Sequence, residues 1–238
     1  MLKKVTTLLS VLISAALIAS CGPSVNPQLK KKTDNLFSTA QTKNYGVSRA
    51  FKAPMKYAVG QYVVHGMTEG SGNRSITKTS IVGKEGNGWV MEFYSLNSKQ
   101  EAVVQMLIVG LDKAAQTGNT DGIEIQRIKI KDEKGQVQSF EGPMLSMMKN
   151  LYKNSLSSLD VQTGTFLTGS AVTVPAGVFT GTYTIKSKVK LFGKTYTGTG
   201  WYHSSVPING VVKSVSDDDK TTMVLLDFGT KGAVSLFD

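Results

Sequence analysis

From Val178 to Leu191 the chain alternates with a period of two. Phe179, Tyr183, Ile185, Val189 and Leu191 fall at odd positions, and Thr180, Thr182, Thr184, Lys186, Lys188 and Lys190 at even ones. An extended strand sends odd and even side chains to opposite faces, so this pattern predicts a strand with one buried and one wet face, as in an antiparallel sheet covered on a single side. Shorter apolar runs between glycine-rich turns extend the reading to strands near Lys56 to Thr68, Arg74 to Val82, Gly88 to Leu96, Glu101 to Leu111 and Ile123 to Lys131. Phe192-Gly193-Lys194 turns the long strand back through Tyr196 and Trp201. Asp217-Asp218-Asp219-Lys220 tips a hairpin between Val211 to Val215 and Met223 to Phe228. In Ile123 to Lys131 the apolar phase moves from Ile123 and Ile125 to Ile128 and Ile130, which predicts a β-bulge that bends the sheet.

One segment departs from this period. Leu145, Met148, Tyr152, Leu156 and Leu159 recur at steps of three and four, Met144, Met147 and Leu151 widen the apolar stripe, and Pro143 suits a first helical turn. A helix near 143–159 that is this apolar must lie against something, and the concave face of a bent sheet is the partner the pattern offers. The expected fold is mainly β with one or two helices: a strongly curved antiparallel sheet, a half-barrel, wrapped around a helix.

The N-terminus carries Lys3 and Lys4, then an uncharged run from Val5 to Ala19, shorter than the roughly 20 residues of a spanning helix. That is the layout of a signal peptide, expected over residues 1–20. Ile18-Ala19-Ser20-Cys21 resembles the lipobox of bacterial lipoproteins, which implies cleavage before Cys21 and lipidation of that cysteine. Cys21 is the only cysteine, so an internal disulfide is excluded. Acyl chains on one residue, two or more together, make a firm anchor. Gly22 stands where many Gram-negative lipoproteins kept in the inner membrane carry Asp, so the expected location is the outer membrane, on either its periplasmic or its surface face. Residues 21–45 are polar, hold Pro23, Pro27 and Lys30-Lys31-Lys32, and read as a flexible tether ending in a short helix near Asp34 to Ala40. A single antiparallel β domain is expected over 46–238. Loss of Lys3 and Lys4 lowers the formal charge from +10 to +8, which favours anionic headgroups; an exported chain has no nucleic-acid partner to meet.

Catalytic signatures are missing. The only histidines are His65 and His203, no thiol remains free once Cys21 is acylated, and there is no G-x-S-x-G, phosphate loop or H-E-x-x-H. His65 and Glu69 share a strand face, but two residues do not make a zinc site, and Asp217 to Asp219 lack calcium-loop spacing. The expectation is no enzyme, no metal and no cofactor.

Val174-Pro175-Ala176-Gly177-Val178-Phe179 and the run Trp201-Tyr202-His203-Ser204-Ser205-Val206-Pro207-Ile208-Asn209-Gly210-Val211-Val212-Lys213 resemble a pattern in bacterial lipoproteins and periplasmic proteins similar to the LolA and LolB group of lipoprotein carriers and receptors. The resemblance covers about the last 65 residues. It implies a curved antiparallel sheet around helices with an apolar hollow for acyl chains, and it carries over no ligand-handling residue.

Two functions follow as expectations. The first is a membrane-anchored binder or carrier of a hydrophobic ligand, a lipid or acyl chain, with Met144, Met147, Met148, Tyr152 and Trp201 as candidate contacts, since methionine adapts to variable apolar guests. The second is a structural or interaction lipoprotein, partnered with an envelope complex or displayed at the surface, in which the same residues are plain core.

Overall fold

The computed structural model of the chain describes residues 25–38, 44–46, 55–117, 122–132, 134–146, 160–191, 194–218 and 220–237, with side chains at all of these except 160–170, 187–191 and 194–196. Cys21, Met147, Met148 and Tyr152 lie outside the described residues, as does the expected helix beyond residue 146.

Among the described residues two helices, α1 (Pro27–Ser38) and α2 (Leu111–Thr117), accompany twelve strands: β1 (Asn44–Tyr45), β2 (Tyr62–Glu69), β3 (Arg74–Glu85), β4 (Gly88–Asn97), β5 (Glu101–Val109), β6 (Glu124–Lys131), β7 (Val137–Phe140), β8 (Asp160–Val174), β9 (Gly177–Leu191), β10 (Lys194–Tyr202), β11 (Val211–Ser216) and β12 (Thr221–Gly229). Residues 142–146 add a helical turn where the helix was expected to begin. All twelve strands join one sheet. β2 to β7 form one meander and β8 to β12 another, and β12 returns to pair with β2. The spatial order is therefore β8-β9-β10-β11-β12-β2-β3-β4-β5-β6-β7, with β1 running parallel to the start of β9. Among the described residues β7 and β8 do not pair, and the sheet is not closed.

The sheet curls. Six inter-strand steps separate β9 from β4, about 29 Å if flat. Yet Phe179 on β9 and Trp89, Met91 and Phe93 on β4 belong to a single buried cluster. The Ala176 amide in the β8–β9 turn also donates to the Leu225 carbonyl on β12 at 3.1 Å.

The expected bulge in β6 is present. Ile125 pairs with Ile108 and Arg127 with Leu107, which leaves Gln126 without a counterpart and accounts for the shifted isoleucine phase.

β9 departs from its sequence pattern. Its pairing with β8 slips between Phe179 and Thr182, and Gly181 takes a φ of 66°, which glycine adopts without steric cost. Residues beyond Gly181 therefore exchange faces. Phe179 packs in the inner cluster, Ile185 joins Tyr202 and Val211 in a separate cluster, and Thr182, expected to be wet, is fully buried.

β4 is buried on both faces, and its outer face has two covers. The first is α1. Asn26 caps it, accepting the amides of Gln28 at 2.9 Å and Leu29 at 3.4 Å, and Pro27 fills the first helical position. Leu29, Thr33 and Phe37, spaced by four, face the sheet, and Leu29 and Phe37 pack on Ile76, Leu96 and Leu226. Lys32 pairs with Glu101 at 2.7 Å and Arg74 with Asp34 at 3.3 Å. Gly66 makes room for this docking, because a Cβ there would lie 2.5 Å from the Phe37 ring. The segment read as a tether thus supplies a docked helix that starts seven residues before the one expected at Asp34. The second cover is the C-terminal tail, held by the buried carboxylate of Glu92, which accepts the Ser235 hydroxyl at 2.7 Å and the Leu236 amide at 2.9 Å.

Candidate functional site

The inner face of the curled sheet gathers side chains from several strands, and its chemistry is mostly apolar. β1 delivers Tyr45 beside β9, where its ring stacks on Phe179 at 4.4 Å, and Phe228 tilts against both at 5.1 and 5.9 Å. His203 meets Phe179 edge-on at 5.3 Å. Such offset and edge contacts suit the aromatic quadrupole and fix the rings relative to one another.

His203 opens the β10–β11 connection, residues 203–210, which is largely buried although it is a loop. It closes on itself: the His203 amide donates to Gly210 O at 2.8 Å, the Val206 amide to His203 O at 3.1 Å, and Asn209 Oδ1 accepts the Val211 amide at 3.1 Å. These bonds satisfy backbone groups that burial would otherwise leave unpaired. His203 Nδ1 accepts the Ser205 amide at 3.1 Å, so the ring proton sits on Nε2 and is donated to Gly46 O at 2.9 Å. Ile208 is buried at a φ of 64°, a left-handed conformation that strains a β-branched residue. The run that carries the sequence resemblance is therefore a plug in the core, with Val206 and Ile208 in the inner cluster.

Polar groups also face inward. Gln61 Oε1, Trp89 Nε1 and Ser95 Oγ are buried without a hydrogen-bond partner. Trp89 and Ser95 share the face of β4 that carries Met91 and Phe93. A buried group left so costs about 1–3 kcal/mol unless water or a guest supplies the missing bond.

His65 is fully buried on β2, where its Nε2 donates to Val211 O at 3.0 Å. Burial pushes its pKa down to about 4, against the opposing effect of that bond. The imidazole is neutral and structural, and Glu69 at the exposed end of the strand does not share its surroundings. Tyr57 is pushed up to about 12 by burial and then by the Asp112 charge, so its phenol stays protonated beside Trp89, 6.0 Å away. Tyr62 donates to Asp227 Oδ2 at 3.1 Å, with Lys78 Nζ 5.1 Å over its ring. Among the described residues no three His, Cys, Asp or Glu side chains gather as a metal would need, and no helix is long and apolar enough to cross a membrane.

Of the candidate ligand contacts, Met144 is 54% exposed while its neighbour Leu145 is buried. Trp201 packs against the inner cluster under Lys213, whose Nζ lies 5.4 Å over the ring. The two are not brought together. Sequence reasoning missed the Tyr45–Phe179–Phe228 stack, because Tyr45 lay in the presumed tether, and missed the inward Gln61 and Ser95, whose residue types are ordinary on a surface.

Two crystal structures resemble the chain. One, described as a "putative exported protein with YmcC-like fold" from Bacteroides fragilis NCTC 9343, is 12% identical and spans 74% of this chain and 99% of its own, at a TM-score of 0.36. The other, described as a "putative lipoprotein" from Parabacteroides distasonis ATCC 8503, is 13% identical and spans 78% and 100%, at a TM-score of 0.34. No protein-family model matches the chain, and no curated protein matches it.

Proposed function

We propose that the chain is an outer-membrane lipoprotein, acylated on Cys21, that binds or carries a hydrophobic ligand such as a lipid or acyl chain, in the manner of the LolA and LolB group and with no catalytic step. The observation that supports this reading is the form of the sheet. It curls round one apolar cluster, among the described residues it stays open between β7 and β8, and the stretch 141–159 that connects these two strands in sequence is methionine-rich. An apolar inner face on a sheet that stays open is one that a lipid tail can enter by burial alone. The unpartnered Gln61, Trp89 and Ser95 would give the polar end of such a guest partners inside.

The test has two parts. In cells fed a labelled fatty acid, the protein should carry label and Cys21→Ser should lose it. The chain from Gly22 onward should bind a fluorescent fatty-acid analogue with a saturable, blue-shifted signal, and Met148→Trp should weaken that binding. A chain that never takes up the probe, and that Met148→Trp destabilises by about 1–3 kcal/mol through overpacking, would overturn the carrier reading.

The second reading, a structural or interaction lipoprotein of the envelope or surface, draws on the density of the same cluster. Ile81, Met91, Phe179 and Leu225 have no exposed surface at all, as in a filled core.

A further inference from the structure

The docking of α1 shortens the distance between the lipid anchor and the domain. The Asn26 amide donates to the Ser98 carbonyl in the β4–β5 turn at 2.7 Å, so the chain is fixed to the sheet from that residue on. Only five peptide steps join Cys21 to Asn26, at most about 18 Å when fully extended. A free tether through residue 45 would have let the domain hang at any angle; this link does not.

α1 lies across the end of the sheet that carries the β2–β3 and β4–β5 turns. Its Lys32 reaches Glu101, its Asp34 reaches Arg74, and Phe37 packs over Gly66. Around α1, Lys30, Lys31, Lys32, Arg74 and Lys99 accompany Asp34 and Glu101, and the same end of the sheet also carries the exposed Glu69 and, in the β11–β12 turn beside it, Asp217, Asp218 and Lys220. Lys31, on the side of α1 away from the sheet, and Lys99, at the tip of the β4–β5 turn, are both exposed. Val25, just before the helix, is exposed as well. The opposite end of the strands carries α2, which follows the nine residues of β5, about 27 Å away.

We infer that the end of the sheet bearing α1 and the β4–β5 turn is the membrane-facing surface of the domain, held flush against anionic phospholipid headgroups through Lys31 and Lys99. This rests on the acylation of Cys21. The short link keeps that end within reach of the bilayer, and fixed positive charge near an anionic surface lowers the energy of the apposed orientation. The open β7 and β8 edges then meet the bilayer from a fixed direction.

Fluorescence quenching tests the orientation with the acylated protein itself. Because Cys21 is the only native cysteine and is blocked by lipid, Gln28→Cys on α1 and Gln116→Cys on α2 each accept a single dye. The labelled lipoproteins are reconstituted into vesicles of phosphatidylethanolamine and phosphatidylglycerol that carry a headgroup spin-label quencher. Dye at Gln28 should be quenched severalfold more than dye at Gln116. Combining Lys31→Glu with Lys99→Glu should remove most of that difference. Equal quenching at the two sites, or stronger quenching at Gln116, overturns the inference while leaving the lipid anchor in place. A protein that carries no fatty-acid label and floats free of the vesicles overturns the anchor, and this orientation with it.

Discussion

The carboxylate of Glu92 on β4 holds the backbone amide of Leu236 at 2.9 Å, across 144 residues of sequence. The same side chain accepts the Ser235 hydroxyl and the Gln105 amide at 2.7 and 2.9 Å, and Lys131 Nζ reaches the Leu236 carbonyl at 2.7 Å. A buried carboxylate without a cation beside it is tolerable here because both oxygens are saturated by donors. Glu92→Gln replaces one acceptor oxygen by an NH2 group, so a donor must face a donor. The variant should lose about 1–3 kcal/mol in urea unfolding, and hydrogen exchange at the Leu236 amide should accelerate. An amide that stays equally protected would show that something else secures the tail.

His65 sets an acid limit on stability. Its pKa is lowered from 6.5 to about 4 by burial, so the unfolded chain takes up the proton first as pH falls. The neutral ring's contribution is intact above pH 6.5, declines between 6.5 and about 4, and levels off below. Between pH 7 and pH 5 that decline amounts to about 2 kcal/mol. His65→Gln keeps an N–H for Val211 O but does not titrate. The gap between wild type and this variant should narrow by that amount over the same interval, and parallel stability curves would contradict it.

Much of the sheet was legible because period-two patterning and turn residues act locally. The bulge at Gln126 could be read from isoleucine alone, since a β-branched apolar residue has one good face. The slip at Gly181 could not: threonine suits either face of a sheet, so Thr182 and Thr184 kept their apparent rhythm while the strand exchanged sides. α1 was underread for a similar reason. Its inward stripe is Leu29, Thr33 and Phe37, and the middle member is polar, its hydroxyl turned back to the Leu29 carbonyl at 2.8 Å. The hold of Glu92 on the tail leaves no local trace, because neither end of it has a periodic signature. The sequence leaves Trp201 open between ligand contact and packing, whereas the Tyr45 stack depends on a two-residue parallel pairing no pattern announces.

Gly66 and Phe37 should be energetically coupled. A Cβ at position 66 would lie 2.5 and 2.6 Å from two Phe37 ring carbons and 3.0 Å from Leu226 Cδ1, so Gly66→Ala must displace the ring or lift α1. The expected loss is about 1–3 kcal/mol. Phe37→Ala empties that space, so the double variant should be scarcely less stable than Phe37→Ala alone. Chemical unfolding of all four proteins closes the cycle. Strict additivity would mean that α1 does not rest on Gly66.

Thr180 and Thr182 discriminate between a regular β9 and a slipped one. If the strand alternated without interruption, both threonines would share the wet face and both would accept lysine. Instead Thr180 is exposed and Thr182 has no exposed surface, because the slip at Gly181 turns the second toward the interior. Thr180→Lys should therefore shift stability by no more than about 0.5 kcal/mol. Thr182→Lys would force an ammonium group into an apolar interior, where desolvation of the unpaired charge outweighs what a single site can offset. That variant should lose its cooperative thermal transition or fold only with a rearranged β8–β9 hairpin. Far-ultraviolet circular dichroism melts of the two proteins, side by side with wild type, give the comparison. Two lysine variants that melt alike would restore the uninterrupted alternation and remove the slip at Gly181.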